Sequence, residues 1–196
     1  MLYIDDGAVG DPWGWFGSLP LASETVLFLR NIDISAQGTE GGYDTRHMIL
    51  DTCWATEISL STVLDRFPHL ETLVFFETVL ENDDQIDDLA SKLIALPTPI
   101  RHVHIIEHNF KIYEDQPNAQ HVLPHLESFT YTLLSDESEP QTPADDGPDR
   151  DALAKVQQAV ESILHAPQCT FKYLRSTKLS PEDAMADALA TLELDL

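Results

Sequence analysis

The stretch FPHLETLVFFETVLENDDQIDDLASKLIAL, residues 67–96, decides how the rest of the chain is read. Its first part carries Leu70, Leu73 and Phe75 at apolar-x-x-apolar-x-apolar spacing, which puts Leu73 and Phe75 on one face of a short strand, residues 71–77. Phe76, Thr78 and Leu80 lead into a polar turn. From Asn82 the period changes, and Ile86, Leu89, Ala90, Leu93 and Ile94 mark one stripe of a helix. Asn82 is placed to cap that helix, Asp83 and Asp84 suit the positive end of its dipole, and Pro97 and Pro99 end it. The unit is strand, turn, helix, proline stop, then the next strand.

The same offsets return on both sides. Ile100, Val103 and Ile105 place a strand at 101–107, and Leu126, Phe129 and Tyr131 place another at 127–133. The lead-in Pro124-His125-Leu126-Glu127 repeats Pro68-His69-Leu70-Glu71. Upstream, Leu27 and Leu29 mark a strand at 25–30, His47 to Asp51 a second, and Ile58, Leu60, Val63 and Leu64 a helix over 55–67. Downstream, Leu153, Val156, Val160, Ile163 and Leu164 form the face of a helix closed by Pro167, and Phe171, Tyr173 and Leu174 a sixth strand. Ser180-Pro181-Glu182-Asp183 then opens a final helix. The strand centres, near Phe28, Ile49, Val74, His104, Thr130 and Lys172, lie about 21 to 30 residues apart until the last step. That step spans 135–148, SDESEPQTPADDGP, an acidic, proline-rich insertion with nothing to bury.

One domain therefore runs over 24–196. Residues 1–23 are read as an aromatic leader in which Trp13, Trp15 and Phe16 cap the open end of a stacked core. Each unit has one apolar strand face and one apolar helix stripe, and neither is buried without a neighbouring unit.

"FPHLETLVFF" (67–76) and "LPHLESFTYT" (123–132) resemble the irregular leucine-rich repeats of fungal F-box-type proteins, over roughly residues 24–196. The resemblance implies an α/β fold: a short leucine-rich-repeat-like solenoid with a parallel sheet and helices on the convex side. It also implies a protein-interaction module that holds its partner on the concave strand face. Two departures stand out. The leader shows no F-box helix pattern. Thr78, His108 and Leu134 occupy the place where regular repeats carry asparagine, so the usual buried amide ladder is not expected.

Charge narrows the partners. Thirty-four acidic residues against eleven basic ones give a net charge of −23, a surface that repels phosphate backbones. Nucleic acid is thus not an expected ligand; the charge is read either as serving solubility or as fitting a basic partner protein. An acidic mimic of nucleic acid that blocks a basic groove is an alternative in the same electrostatic class. Cys53 and Cys169 are far apart and in no metal-ligand spacing, which fits a reducing, intracellular setting, cytoplasmic or nuclear. The N-terminus lacks a secretion signal, and no apolar run approaches the ~20 residues that span a bilayer.

The expected partner surface is the strand face opposite the inward residues: Glu71, Val74, Phe76, Arg101, His102, His104, Ile106, Thr130, Thr132 and Lys172. The cluster His102, His104, Glu107 and His108 is the candidate for a metal site or a small enzyme centre. No Gly-x-Ser-x-Gly elbow and no phosphate-binding glycine loop is present, so no catalytic residue and no cofactor is assigned.

Overall fold

In a computed structural model of the chain, the described residues are 2–5, 26–34, 43–82, 85–86, 89–108, 121–134, 147–166 and 168–176. In chain order the elements begin with β1 (Leu2–Asp5), β2 (Val26–Arg30), β3 (Asp33–Ile34), β4 (His47–Asp51), β5 (Trp54–Thr56) and α1 (Glu57–Leu64). Next come β6 (Thr72–Phe76), β7 (Val79–Asn82), β8 (Gln85–Ile86), α2 (Leu89–Ile94), β9 (His102–Glu107) and β10 (His121–Val122). The last are β11 (Ser128–Leu134), α3 (Gly147–Ile163), β12 (Leu164–His165) and β13 (Thr170–Ser176).

Seven of these strands form one sheet in the order β1-β2-β4-β6-β9-β11-β13, and each neighbouring pair is parallel. The six strand centres read from the sequence fall in a single register row, Phe28–Ile49–Val74–His104–Thr130–Lys172. The protein is thus α/β with a mainly parallel sheet. A smaller sheet, β3-β5-β7-β8, is parallel except for the antiparallel pair β7–β8, and β10 pairs with β12.

A repeated local device starts the main strands. The amides of Leu70, Ile100, Leu126 and Cys169 each donate to the carbonyl three residues earlier, at Phe67, Pro97, Leu123 and Ala166. In two of these turns, Pro68 and Pro124 hold the second position, where the ring pre-sets φ. Leu70, Ile100 and Leu126 are then driven into the core. A second device ends the strands. Asn31, Thr52 and Glu77 have φ of 52°, 53° and 45°, and their amides donate to the Asp51, Phe76 and Ile106 carbonyls of the next strand. Such a left-handed residue costs on the order of 1 kcal/mol outside glycine, and the ladder bond offsets it.

One residue on, buried side chains reach back to the preceding main strand. Thr78 Oγ1 donates to Leu50 O of the preceding main strand at 2.8 Å, and Cys53 Sγ reaches Leu29 O at 3.4 Å. A hydroxyl and a thiol thus stitch successive turns where an amide ladder was not expected. Burial pushes the Cys53 thiol up to about 12, so it stays a protonated donor. Thr78→Val, nearly isosteric, leaves the buried Leu50 carbonyl without this donor. It should lower unfolding free energy by about 1–2 kcal/mol in urea titrations.

The sheet has two buried faces. Leu27, Met48, Leu73, Val103 and Phe129, with Leu29, Leu50, Phe75, Ile105 and Tyr131, meet the helices through Leu60, Val63, Leu93, Val156 and Val160. The inward triplets read from the sequence all belong to this cluster. On the other face Val26, Phe28, Ile49, Val74, Phe76, Ile106 and Leu134 form a second buried apolar cluster.

Several expectations are corrected. Leu2–Asp5, inside the stretch read as leader, is a strand of the main sheet. The helix predicted over 55–67 is preceded by β5, and Thr56 caps it with Ser59 in a reciprocal capping box. Asn82 ends a strand and pairs opposite Gln85, so it caps no helix, and α2 begins only at Leu89. Strand hydrogen bonding outcompeted local capping preference there. The helix after the acidic insertion starts at Gly147. Trp13, Trp15, Phe16, residues 135–146 and the helix from Ser180 lie outside the described residues.

Candidate functional site

The ten residues expected to form an open strand face do lie along one side of the sheet or at its entry edge, but they divide by burial. Val74, Phe76, Ile106 and Thr132 are buried, at 1%, 4%, 1% and 1% exposure. They are not available for contact with a partner in this arrangement, which corrects the expectation of a uniformly open face. The reason is composition: among its polar side chains that face carries Val26, Phe28, Ile49, Val74, Phe76, Ile106 and Leu134, and such residues bury wherever they find neighbours. Across β9, β11 and β13 the face changes character. His102, His104, Ser128 and Thr130 are half-buried, and Thr170, Lys172 and Leu174 are exposed.

Imidazole–hydroxyl pairs tie this face together. His102 Nδ1 lies 2.9 Å from Ser128 Oγ, His104 Nε2 2.8 Å from Thr132 Oγ1, and His47 Nδ1 3.1 Å from Thr72 Oγ1. Each pair bridges adjacent strands, because register brings 47 beside 72 and 102 beside 128. Burial lowers the His104 pKa to about 4, so that ring is neutral at physiological pH. His47 is lowered as well, chiefly by burial, with Glu71 opposing and Arg46 and His102 adding to the shift.

One residue before the strands, Arg46, Glu71, Arg101 and Glu127 alternate in sign along the sheet's entry edge. Arg46–Glu71 and Arg101–Glu127 are 3.3 and 3.4 Å apart, and His102 Nε2 is 4.0 Å from Glu127. Glu71 is half-buried and Arg101 exposed. Pairs this exposed contribute little to stability; they set the charge pattern that anything approaching this edge meets.

The proposed metal quartet does not come together. His102 and His104 face one side of β9, whereas Glu107, an odd number of residues away, faces the helices. Glu107 is buried there, 2.8 Å from Lys92 Nζ of α2, and its second oxygen accepts from the Tyr131 hydroxyl. His108 turns to Glu77, with Nδ1 2.7 Å from Oε1. Among the described residues no group of three His, Cys, Asp or Glu side chains could hold a metal ion.

The Lys92–Glu107–Tyr131 cluster was missed from sequence, though its signal was present. Lys92 sits three after Leu89, inside the apolar stripe of its helix, and Glu107 has the parity of Val103 and Ile105. Lys92 is 1% exposed and Tyr131 0%, so the ion pair is walled in by core. It is a structural element of the helix side, separated by the sheet from the polar face. Also missed was Trp54, half-exposed on β5, next to the 79% exposed Ile58 of α1 in sequence order.

Among the described residues no helix is long and apolar enough to cross a membrane. In comparisons with family models, curated proteins and solved structures, nothing matches the chain.

Proposed function

We propose that the chain is a protein-interaction module built as a short leucine-rich-repeat-like solenoid, and that it holds its partner on the sheet face across β9, β11 and β13. The single observation that carries this reading is the gradation of that face. Its apolar part is buried within the protein, while His102, His104, Thr130 and Lys172 are left partly or fully open in adjacent register rows with exposed Leu174. Mixed imidazole, hydroxyl, cation and leucine on a strand surface suits a polar-rimmed protein contact. The sequential strand order, the repeated proline turn and the hydroxyl–thiol ladder support the repeat character. A basic partner fits the net charge of −23, which would steer its encounter. The compartment goes with that reading as a proposal: cytoplasm or nucleus.

Affinity capture with the wild-type chain and with a His102→Ala/Lys172→Ala variant tests it. Both substitutions are at positions that contribute little to the core, so the variant should fold. A partner retained by the first and lost by the second is the expected result. Equal capture by both, with the variant's circular dichroism unchanged, would reject this face as the contact surface.

A further inference from the structure

The small sheet presents an outward row that the function proposed above does not use. Asp33, Trp54 and Val79 are aligned side by side on β3, β5 and β7, while the alternate row, Ile34, Ala55 and Leu80, is buried. Trp54 is 49% exposed and Val79 is half-buried. Ile58, in the first turn of the helix that β5 runs into, is 79% exposed. Further along the same side of α1 come exposed Thr62 and, seven residues after Ile58, exposed Asp65.

A lone exposed leucine or isoleucine is ordinary; an exposed tryptophan paired in register with a half-buried valine, and followed four residues on by an isoleucine 79% exposed, is not. The helix is anchored by buried Ala55 and Leu60, on either side of the Thr56 cap, and by Val63 and Leu64. Tryptophan is also the side chain most enriched among residues that dominate binding energy. Acidic residues flank the patch at both ends, Asp33 beside Trp54 in register and Asp65 at the far end of α1.

We propose that Trp54, Ile58 and Val79 form a docking surface for a basic segment of a partner protein, one that seats an apolar side chain on Trp54 between lysines or arginines. Charge decides the occupant. An apolar centre between carboxylates, on a chain with 34 acidic and 11 basic residues, complements a cationic segment. The same charge makes a second copy of this chain repel the first. The surface lies on a different sheet from the β9–β13 face and does not depend on it.

Calorimetric titration with two synthetic 12-residue peptides tests the proposal, one alternating lysine and leucine and the other alternating lysine and serine. The lysine–leucine peptide should bind about tenfold or more tightly than its serine counterpart. Trp54→Ala and Ile58→Ser should each remove that preference, and Asp33→Asn/Asp65→Asn should weaken binding several-fold with a shallower salt dependence. Because Trp54 and Ile58 are exposed, these variants should fold, which far-ultraviolet circular dichroism checks. His102→Ala/Lys172→Ala should leave the titration unchanged, which separates this surface from the one above. Equal binding of the two peptides, or a preference that survives Trp54→Ala, would overturn the proposal. So would concentration-dependent dimerisation in sedimentation that Trp54→Ala abolishes, since the occupant would then be a second copy.

Discussion

Lys92→Met should destabilise the protein by about 3–5 kcal/mol, because it leaves the buried Glu107 carboxylate without its cationic partner. The methionine fills the space of the lysine stem, so the loss reflects charge more than volume. Lys92 is 1% and Glu107 6% exposed, so water cannot take the place of the missing ammonium. Tyr131 would still donate to Glu107, which offsets only part of the cost. Removing both charges, as in Lys92→Met/Glu107→Leu, should recover much of the stability, since a buried ion pair and a packed apolar pair of similar volume are often close in energy. Urea unfolding of the two single variants and the double variant gives the coupling directly. A single variant that loses less than about 1 kcal/mol would show that the pair is open to solvent.

The second large effect is on acid stability. The folded protein holds His104 near pKa 4 by burying it, against an ordinary value of 6.5. The unfolded chain therefore binds a proton at this site more readily than the folded chain does. Stability contributed by the neutral ring is complete above about pH 6.5 and is lost as pH falls through 6.5 towards 4. The full difference corresponds to about 3 kcal/mol. No carboxylate lies beside His104 in its register row, where its neighbours are Val74 and Thr130, and its own hydrogen bond goes to Thr132. His104→Gln, which keeps a hydrogen-bonding group without a titratable one, should flatten this part of the profile. Carboxylate protonation lowers the stability of both proteins in acid, so the wild-type-minus-variant difference between pH 7 and pH 4.5 is the measurement. If that difference is flat, the imidazole is not held neutral by burial.

The acid response bears on the proposed contact face. His104 lies in one row with Thr130 and Lys172, and two residues from His102 on the same strand face. Charging that ring would place a cation in a half-buried position between the apolar cluster and the open part of the face. Partner binding on the β9–β13 face should therefore weaken below about pH 5 before the fold is lost.

Periodicity by itself determined six of the seven strands of the main sheet. The recurring triplets Leu70/Leu73/Phe75, Ile100/Val103/Ile105 and Leu126/Phe129/Tyr131 gave the face, and the six centres gave a register that the sheet adopts row for row. Alternation is a local property of an extended chain, so it survives whatever packs on it. Side-chain parity also carried the fate of Glu107, which a stricter reading would have removed from the metal quartet. What only the tertiary structure decided was which exposed-looking positions are exposed. Val74, Phe76 and Ile106 alternate like surface residues of a one-sided sheet, yet they are buried as a second cluster, because burial depends on what lies across the face and not on the strand's own pattern. The same holds at Asn82, where pairing with Gln85 prevailed over a cap, and at Trp54, left half-exposed on β5 while its neighbour Ala55 is buried.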